Sequence, residues 1–398
     1  MKNKLFLAIW IAATASNIGT WIQIIGEKWQ MAELTKSPLL ISLIETSSTL
    51  PMLLLAMAAG AFADILDRRK LLLAAQGYMM LVAALLSVLT FTHHISPWVL
   101  LVMSLLLGIG MAFNAPTWSA AIGEILPRHQ IPAGVTLNSA SFNVSRAVGP
   151  ALGGFVVALL GPAWAFALNA ISFLGTVLVL RGWERKVPVS GLPAERFIEA
   201  MQVGLRYVLH SKALQVILVR TFGFAWFAGI IFSLTPSLAI HELGLGSWGF
   251  GLVMGCIGAG AVLATLLFAP LRARFRTNQL MVGFSILFAG GLSAVALWPK
   301  PVPVALSLFF CGMAWNATLS TLNTGIQLSF PPWVKARAFG AYITTWGGAM
   351  ALGAAFWGAV AQRVGLVKTF GIASAGMLLV LALLGRLRIE ALEPRVSR

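Results

Sequence analysis

The sequence predicts an all-α membrane protein whose twelve transmembrane helices form two pseudo-symmetric six-helix halves. Three observations predict it. Hydrophobic residues fill 59% of the 398 positions and charged residues only 10%, against roughly 25% charged residues in a soluble domain. Apolar spans of about 20 residues, long enough to cross a bilayer, can be marked near 5–32, 38–63, 71–91, 97–123, 132–160, 162–181, 213–239, 247–270, 277–297, 301–327, 337–362 and 367–385. The basic residues then fall on alternate sides. With both termini cytoplasmic, the outside loops and ends hold only Lys28, Lys36, Lys300, Arg363 and Lys368, while Arg146 and Arg220 stay inside spans. Every other Lys and Arg lies in an inside segment, as the positive-inside rule requires. The formal charge of +16 therefore reports topology, and nucleic acid is not expected as a partner.

The first span passes one check. Lys2-Asn-Lys4, an apolar run to Ala13 and Thr14-Ala15-Ser16 have the layout of a signal peptide. The apolar stretch continues well past that point, and its loss would leave eleven spans and an inverted charge bias. The expected organisation is a first half over 1–183, a cytoplasmic linker over 184–212 and a second half over 213–398. In the linker, Phe197, Met201, Leu205 and Val208 recur at helical spacing with Glu195, Glu199, Gln202 and Arg206 on other faces. That pattern predicts an interfacial amphipathic helix; a mobile linker is the alternative. The halves also look like diverged copies. Gly347-Gly348 and Gly353 with Gly358 in span eleven echo the glycines of span five, and Arg272-Ala-Arg274-Phe-Arg276 echoes the basic loop after span two. Cys256 and Cys311 lie within spans without metal or disulfide spacing, and neither a metal nor a cofactor is expected.

That basic loop reads Gly60-Ala-Phe-Ala-Asp64-Ile-Leu-Asp67-Arg68-Arg69-Lys70. Charges so close to two apolar spans belong in a tight turn at the membrane surface, because burying them in lipid costs several kcal/mol. Gly60 lets helix ends approach closely. Anchoring alone accounts for Arg68, Arg69 and Lys70, but not for Gly60 or Asp64. The layout resembles the loop motif of the major facilitator superfamily of transporters. That resemblance implies a conformational clamp in which Asp64 pairs with nearby basic residues and releases them as the protein reorients. Gly149-Pro150-x-x-Gly153-Gly154 in span five resembles the motif of that superfamily's drug–proton antiporters, and so implies export. Physically, Pro150 removes a backbone donor and the glycines permit close helix packing. Arg146, one turn earlier, is expected to face a water-filled cavity or a buried carboxylate.

Two polar stripes suggest where a substrate cavity lies. Ser16, Thr20, Gln23 and Glu27 share one face of span one; Asn316, Ser320, Asn323 and Gln327 share one face of span ten. A polar stripe in a membrane helix faces water, substrate or another polar surface, so hydrogen bonding between helices is the competing account. The superfamily resemblance implies that these helices line a central cavity, with Asn114 and Trp118 on span four as weaker members. Proton coupling needs a carboxylate that titrates near neutral pH, and burial moves one in that direction. Glu27 and Glu45 are the candidates, although both could sit near the outer surface; Glu124, close to a helix end, is passed over. The histidines (His93, His94, His129, His210 and His241) fall in loops or connecting segments. No metalloprotease or phosphate-loop motif occurs, so an enzyme is not expected.

The first third narrows the resemblance. Asn17-Ile-Gly19-Thr20-Trp21-Ile-Gln23, Trp29, Leu34-Thr35-Lys36-Ser37-Pro38, Leu50-Pro51, and the stretch from Asp67 to Gln76 look like the family of enterobactin exporters and macrolide-efflux proteins, the transmembrane secretion effectors. Gly204-Leu-Arg206-Tyr207 looks like that family's central amphipathic helix. The resemblance implies a monomeric exporter of siderophores or amphipathic drugs in a bacterial cytoplasmic membrane, driven by proton entry. Glu27 and Glu45 depart from it, standing where the family commonly has uncharged or amide residues. An uptake symporter or facilitator, or a membrane scaffold or sensor, remains open at this point.

Overall fold

A computed structural model describes residues 4–183, 210–330 and 332–385; the expected amphipathic linker helix lies outside them. Backbone polar groups cannot remain unsatisfied in lipid, so the long apolar stretches fold as helices. In the first half these are α1 (Lys4–Leu34), α2 (Pro38–Ile65), α3 (Arg68–Phe91), α4 (Pro97–Ile125), α5 (Ile131–Leu160) and α6 (Pro162–Arg181). The second half has α7 (Lys212–Ser233), α8 (Ser247–Arg274), α9 (Thr277–Leu297), α10 (Pro301–Ser329), α11 (Pro332–Val364) and α12 (Leu366–Leu384). Eleven of these are long and apolar enough to cross a membrane. The remaining one is α11, 33 residues long with Lys335, Arg337 and Arg363.

The helix ends follow from local chemistry. Ser96, Asp67 and Ser211 each accept a backbone N–H from the first turn of α4, α3 and α7, satisfying donors that the helix leaves open. Proline at the first turn starts α4, α5, α6 and α10. The links α5–α6 and α11–α12 turn on Gly161 (φ 84°) and Gly365 (φ 93°), backbone that a side chain would strain. One boundary differs from expectation. The chain runs on beyond α7 through Thr235–Ser237 into a π-helical turn, Leu238–Glu242. His241 therefore sits on helix and not in a loop.

The chain divides into two compact units. The first contains Met1–Thr35, Ser47–Phe197 and Gly246–Gly255; the second contains Lys36–Thr46, Ile198–Leu245 and Cys256–Arg398. Within the first, α1 packs on α5 and α6, and α3 on α4 and α6. Within the second, α7 packs on α11, and α9 on α10 and α12. The matching crossings use matching residues: a Cβ on Gly149 would strike Trp21, and one on Gly353 would strike Trp226. Each unit also takes in the start of one helix from the other half of the sequence. In the first, Gly154 meets Gly251 so closely that a Cβ would stand 2.6 Å from the opposing Cα. In the second, Gly358 leaves room for Ser42, and Thr46 donates to the Ala351 carbonyl at 2.8 Å.

Candidate functional site

One turn of α1 separates Gln23 from Glu27, so both project from the same face. In the first unit that face meets α4 and α6, where it forms a directed chain of hydrogen bonds. Ser172 Oγ donates to Asn169 Oδ1 (3.0 Å), Asn169 Nδ2 to Gln23 Oε1 (2.6 Å), and Gln23 Nε2 to Glu27 Oε1 (2.7 Å). From α4, Ser104 Oγ donates to Glu27 Oε2 (2.6 Å). Glu27 is 4% exposed, and no other Asp or Glu whose side chain is described is buried. A carboxylate in such a place requires partners. Short hydrogen bonds to a charged acceptor are the strong kind, and both oxygens receive one.

The two oxygens have chemically different partners. Gln23 is held by Asn169 so that its N–H₂ points at Oε1, and an N–H₂ can only donate. Ser104 can donate or, by rotating its hydroxyl, accept. Lys28, 2% exposed at the next position of α1, and Arg146 on α5, 5% exposed with its guanidinium 6.0 Å from the Phe142 ring, are the buried cations of this unit among the described residues.

The 60–70 loop ties together one end of the same unit. Asp67 caps α3 by accepting from the Lys70 N–H at 3.0 Å. Arg68 Nη1 lies 2.9 Å from Glu124 Oε1 on α4. Arg69 donates to the Leu180 and Arg181 carbonyls at the end of α6, at 3.2 and 2.6 Å, where the helix dipole favours a cation. Glu124 is thus half of an ion pair. Lys70 is exposed; Gly60 and Asp64 lie in the last turns of α2.

The helix-five motif packs α5 against its neighbours. Gly149 and Gly153 face Trp21 and Ile25 of α1, Gly154 faces Gly251, and the Pro150 carbonyl lies beside Gly251. Of the first stripe, Ser16 is buried and Thr20 donates to the Ser16 carbonyl. Asn114 accepts from Gln76 (3.0 Å), and Trp118 donates to Asn138 (3.0 Å). Trp118, Trp10, Phe6 and Ile122 line a small cleft among α1, α4 and α5. In the second unit, Asn316 donates to the Ala261 carbonyl and Thr265 Oγ1 of α8, at 2.8 and 3.0 Å. Ser320 and Asn323 are half-buried on α10, Gln327 continues that helix, and Glu45 is half-buried on α2. Gln23, Glu27 and Asn316 therefore make contacts between helices. Ser104 and Asn169 escaped the sequence reading; each is one of several small or amide polar residues scattered through an apolar span, and nothing in the spacing singled them out.

A helical bundle in two units with one packing plan, carrying charged side chains buried within apolar helices, defines a multi-pass membrane transporter of the major facilitator fold. Solved structures agree on the fold. A bacterial homologue of the human lysosomal transporter Spinster, inward-facing and occupied, superposes with a TM-score of 0.79 at 12% identity, covering 98% of both chains. A D-xylose–proton symporter superposes with a TM-score of 0.74 at 15% identity, also covering 98% of both. The chain belongs to the transmembrane secretion effector family, whose model matches residues 1–397. It is 27% identical to the multidrug efflux pump Tap of Mycolicibacterium fortuitum, covering 95% of this chain and 94% of that one. It is 25% identical to the enterobactin exporter EntS of Salmonella choleraesuis, covering 98% and 95%. To the staphyloferrin A transporter of Staphylococcus aureus it is 24% identical, covering 89% of each.

Proposed function

We propose that this transporter exports a small amphipathic molecule, a siderophore or a drug, across a bacterial cytoplasmic membrane by proton antiport with alternating access. Export is supported by relatives named as an efflux pump and a siderophore exporter. The observation that carries the coupling is the buried Glu27 and the asymmetry of its two oxygens. Oε1 is committed to an N–H₂ that cannot accept, so the proton is taken on Oε2. The new O–H then donates to Ser104 Oγ as that hydroxyl rotates. Protonation then removes the charge without dismantling the amide chain. In this scheme the Asp64 loop is the conformational clamp and Glu45 the second carboxylate to be tested.

Proteoliposomes with an imposed pH gradient test the reading, using ethidium and a catecholate siderophore as probes. Glu27→Gln is expected to lose gradient-driven uphill transport while retaining gradient-independent exchange of the probe across the membrane. Uphill transport in Glu27→Gln equal to wild type would overturn Glu27 as the carrier, and its loss in Glu45→Gln instead would move the role to Glu45. If neither probe moves in wild-type vesicles under any gradient, export of this substrate class fails with it.

A further inference from the structure

The second half is almost without acid. Between Lys212 and Gly385 the only Asp or Glu is Glu242, in the π-helical turn beyond α7, and none occurs in α7 to α12. Within this acid-free bundle Arg220 is 6% exposed, two turns into α7. Its Nη1 donates to Asn278 Oδ1 at 2.6 Å and approaches Met281 Sδ at 3.6 Å; its Nη2 reaches the Leu384 carbonyl at 3.4 Å. Nε is buried and has no acceptor among the described residues. All of these partners are neutral. A buried guanidinium meeting only partial charges leaves most of its desolvation cost uncompensated.

Beside Arg220 lies a small cleft between α7, α9 and α12. Phe224, Met281, Met377, Val380 and Leu384 make it apolar, and Arg220 and Ser285 are its polar groups. It lies toward the end of the unit where α7 and α9 begin and α12 stops. The exposed Arg272, Arg274 and Arg276 lie at the α8–α9 turn of that end, and α12 presents exposed Leu379 and Leu383. A cation in the wall of an apolar cleft, with more cations at the same end of the unit and apolar helix surface alongside, is complementary to an anionic phospholipid. Its phosphate would meet the guanidinium and its chains would follow α12.

We propose that Arg220 and this cleft form a binding site for an anionic phospholipid of the cytoplasmic leaflet. The phosphate supplies the countercharge that α7 to α12 lack. The site is independent of Glu27 and of the direction of transport.

The full chain, purified and stripped of lipid in mild detergent, provides the test. Native mass spectrometry and thermal unfolding would follow binding of phosphatidylglycerol, phosphatidylcholine and inorganic phosphate. The expected result is preferential retention of phosphatidylglycerol with a raised Tm, and a loss of about tenfold or more in that retention in Arg220→Gln, the scale of a charge-assisted hydrogen bond. Val380→Trp, which adds bulk to the cleft wall while keeping the guanidinium, is expected to lose it too and serves if Arg220→Gln does not fold. Equal retention in wild type and both variants would overturn the site. Displacement of the lipid by millimolar inorganic phosphate would overturn the lipid assignment in favour of a soluble anion. Phosphatidylglycerol binding that appears only after Glu390→Gln and Glu393→Gln would assign the countercharge to the chain's own C-terminal segment.

Discussion

The two units use one helix plan but fill it differently at the same depth. Aligning Trp21 with Trp226, the tryptophans under the matching glycines, carries Gln23 onto Ala228 and Glu27 onto Phe232. Aligning Gly161 with Gly365, the positive-φ glycines of the α5–α6 and α11–α12 links, carries Asn169 onto Ala373; aligning the helix-opening Pro97 and Pro301 carries Ser104 onto Leu308. The carboxylate and the three polar residues arranged around it in one unit are thus Phe, Ala, Ala and Leu in the other, all buried. Phe232 packs edge-on against Trp315 at 4.9 Å, beside a run of rings that includes Trp346 and Phe224. The packing plan does not require the polar network. Its presence in only one unit is a chemical addition, which is the strongest reason to give it the proton.

The comparison can be broken most severely by moving the charge across. Phe232→Glu puts a carboxylate where no donor chain awaits it, and about 3–5 kcal/mol of stability should be lost. The readout is folded yield and Tm; a wild-type Tm in this variant would mean that the second unit supports a carboxylate after all. A smaller loss, about 3 kcal/mol, is expected from Gly154→Val, which drives a branched side chain into the Gly251 backbone. Gly347→Ala, which meets open space, should change Tm little. If the two glycine variants behave alike, the backbone crossing is not tight in the membrane. A milder loss than that of Gly154→Val is expected from Ser104→Leu, which imports the second unit's residue. It removes one donor to Glu27, should cost about 1–3 kcal/mol, and should shift the pH profile of transport while Ser104→Thr restores it. An unchanged profile would remove Ser104 from the proton's path.

The helices and their order were legible because apolar runs of membrane-spanning length are separated by charges, a signal that needs no tertiary information. The stripe containing Gln23 and Glu27 was legible for the same reason. Which surface that stripe faces was not. The partners of Glu27 and Gln23 stand 77 and 146 positions away from the residues they bond, and a single Ser in an apolar helix is too common to single out. Asn316 illustrates the same gap: its spacing on α10 was plain, but Thr265, which receives its amide, lies on another helix. Glu124 was set aside for lying at a helix end, and that position is what brings it to Arg68.

The near-absence of acids from α7 to α12 has a further consequence. If proton handling resides in α1, α4 and α6, the second half can drift in sequence without disturbing the energetics of the cycle. Descendants of such a protein could change what they carry by altering one half alone, keeping the same engine. A lineage built in this way would diversify in cargo faster than in power source.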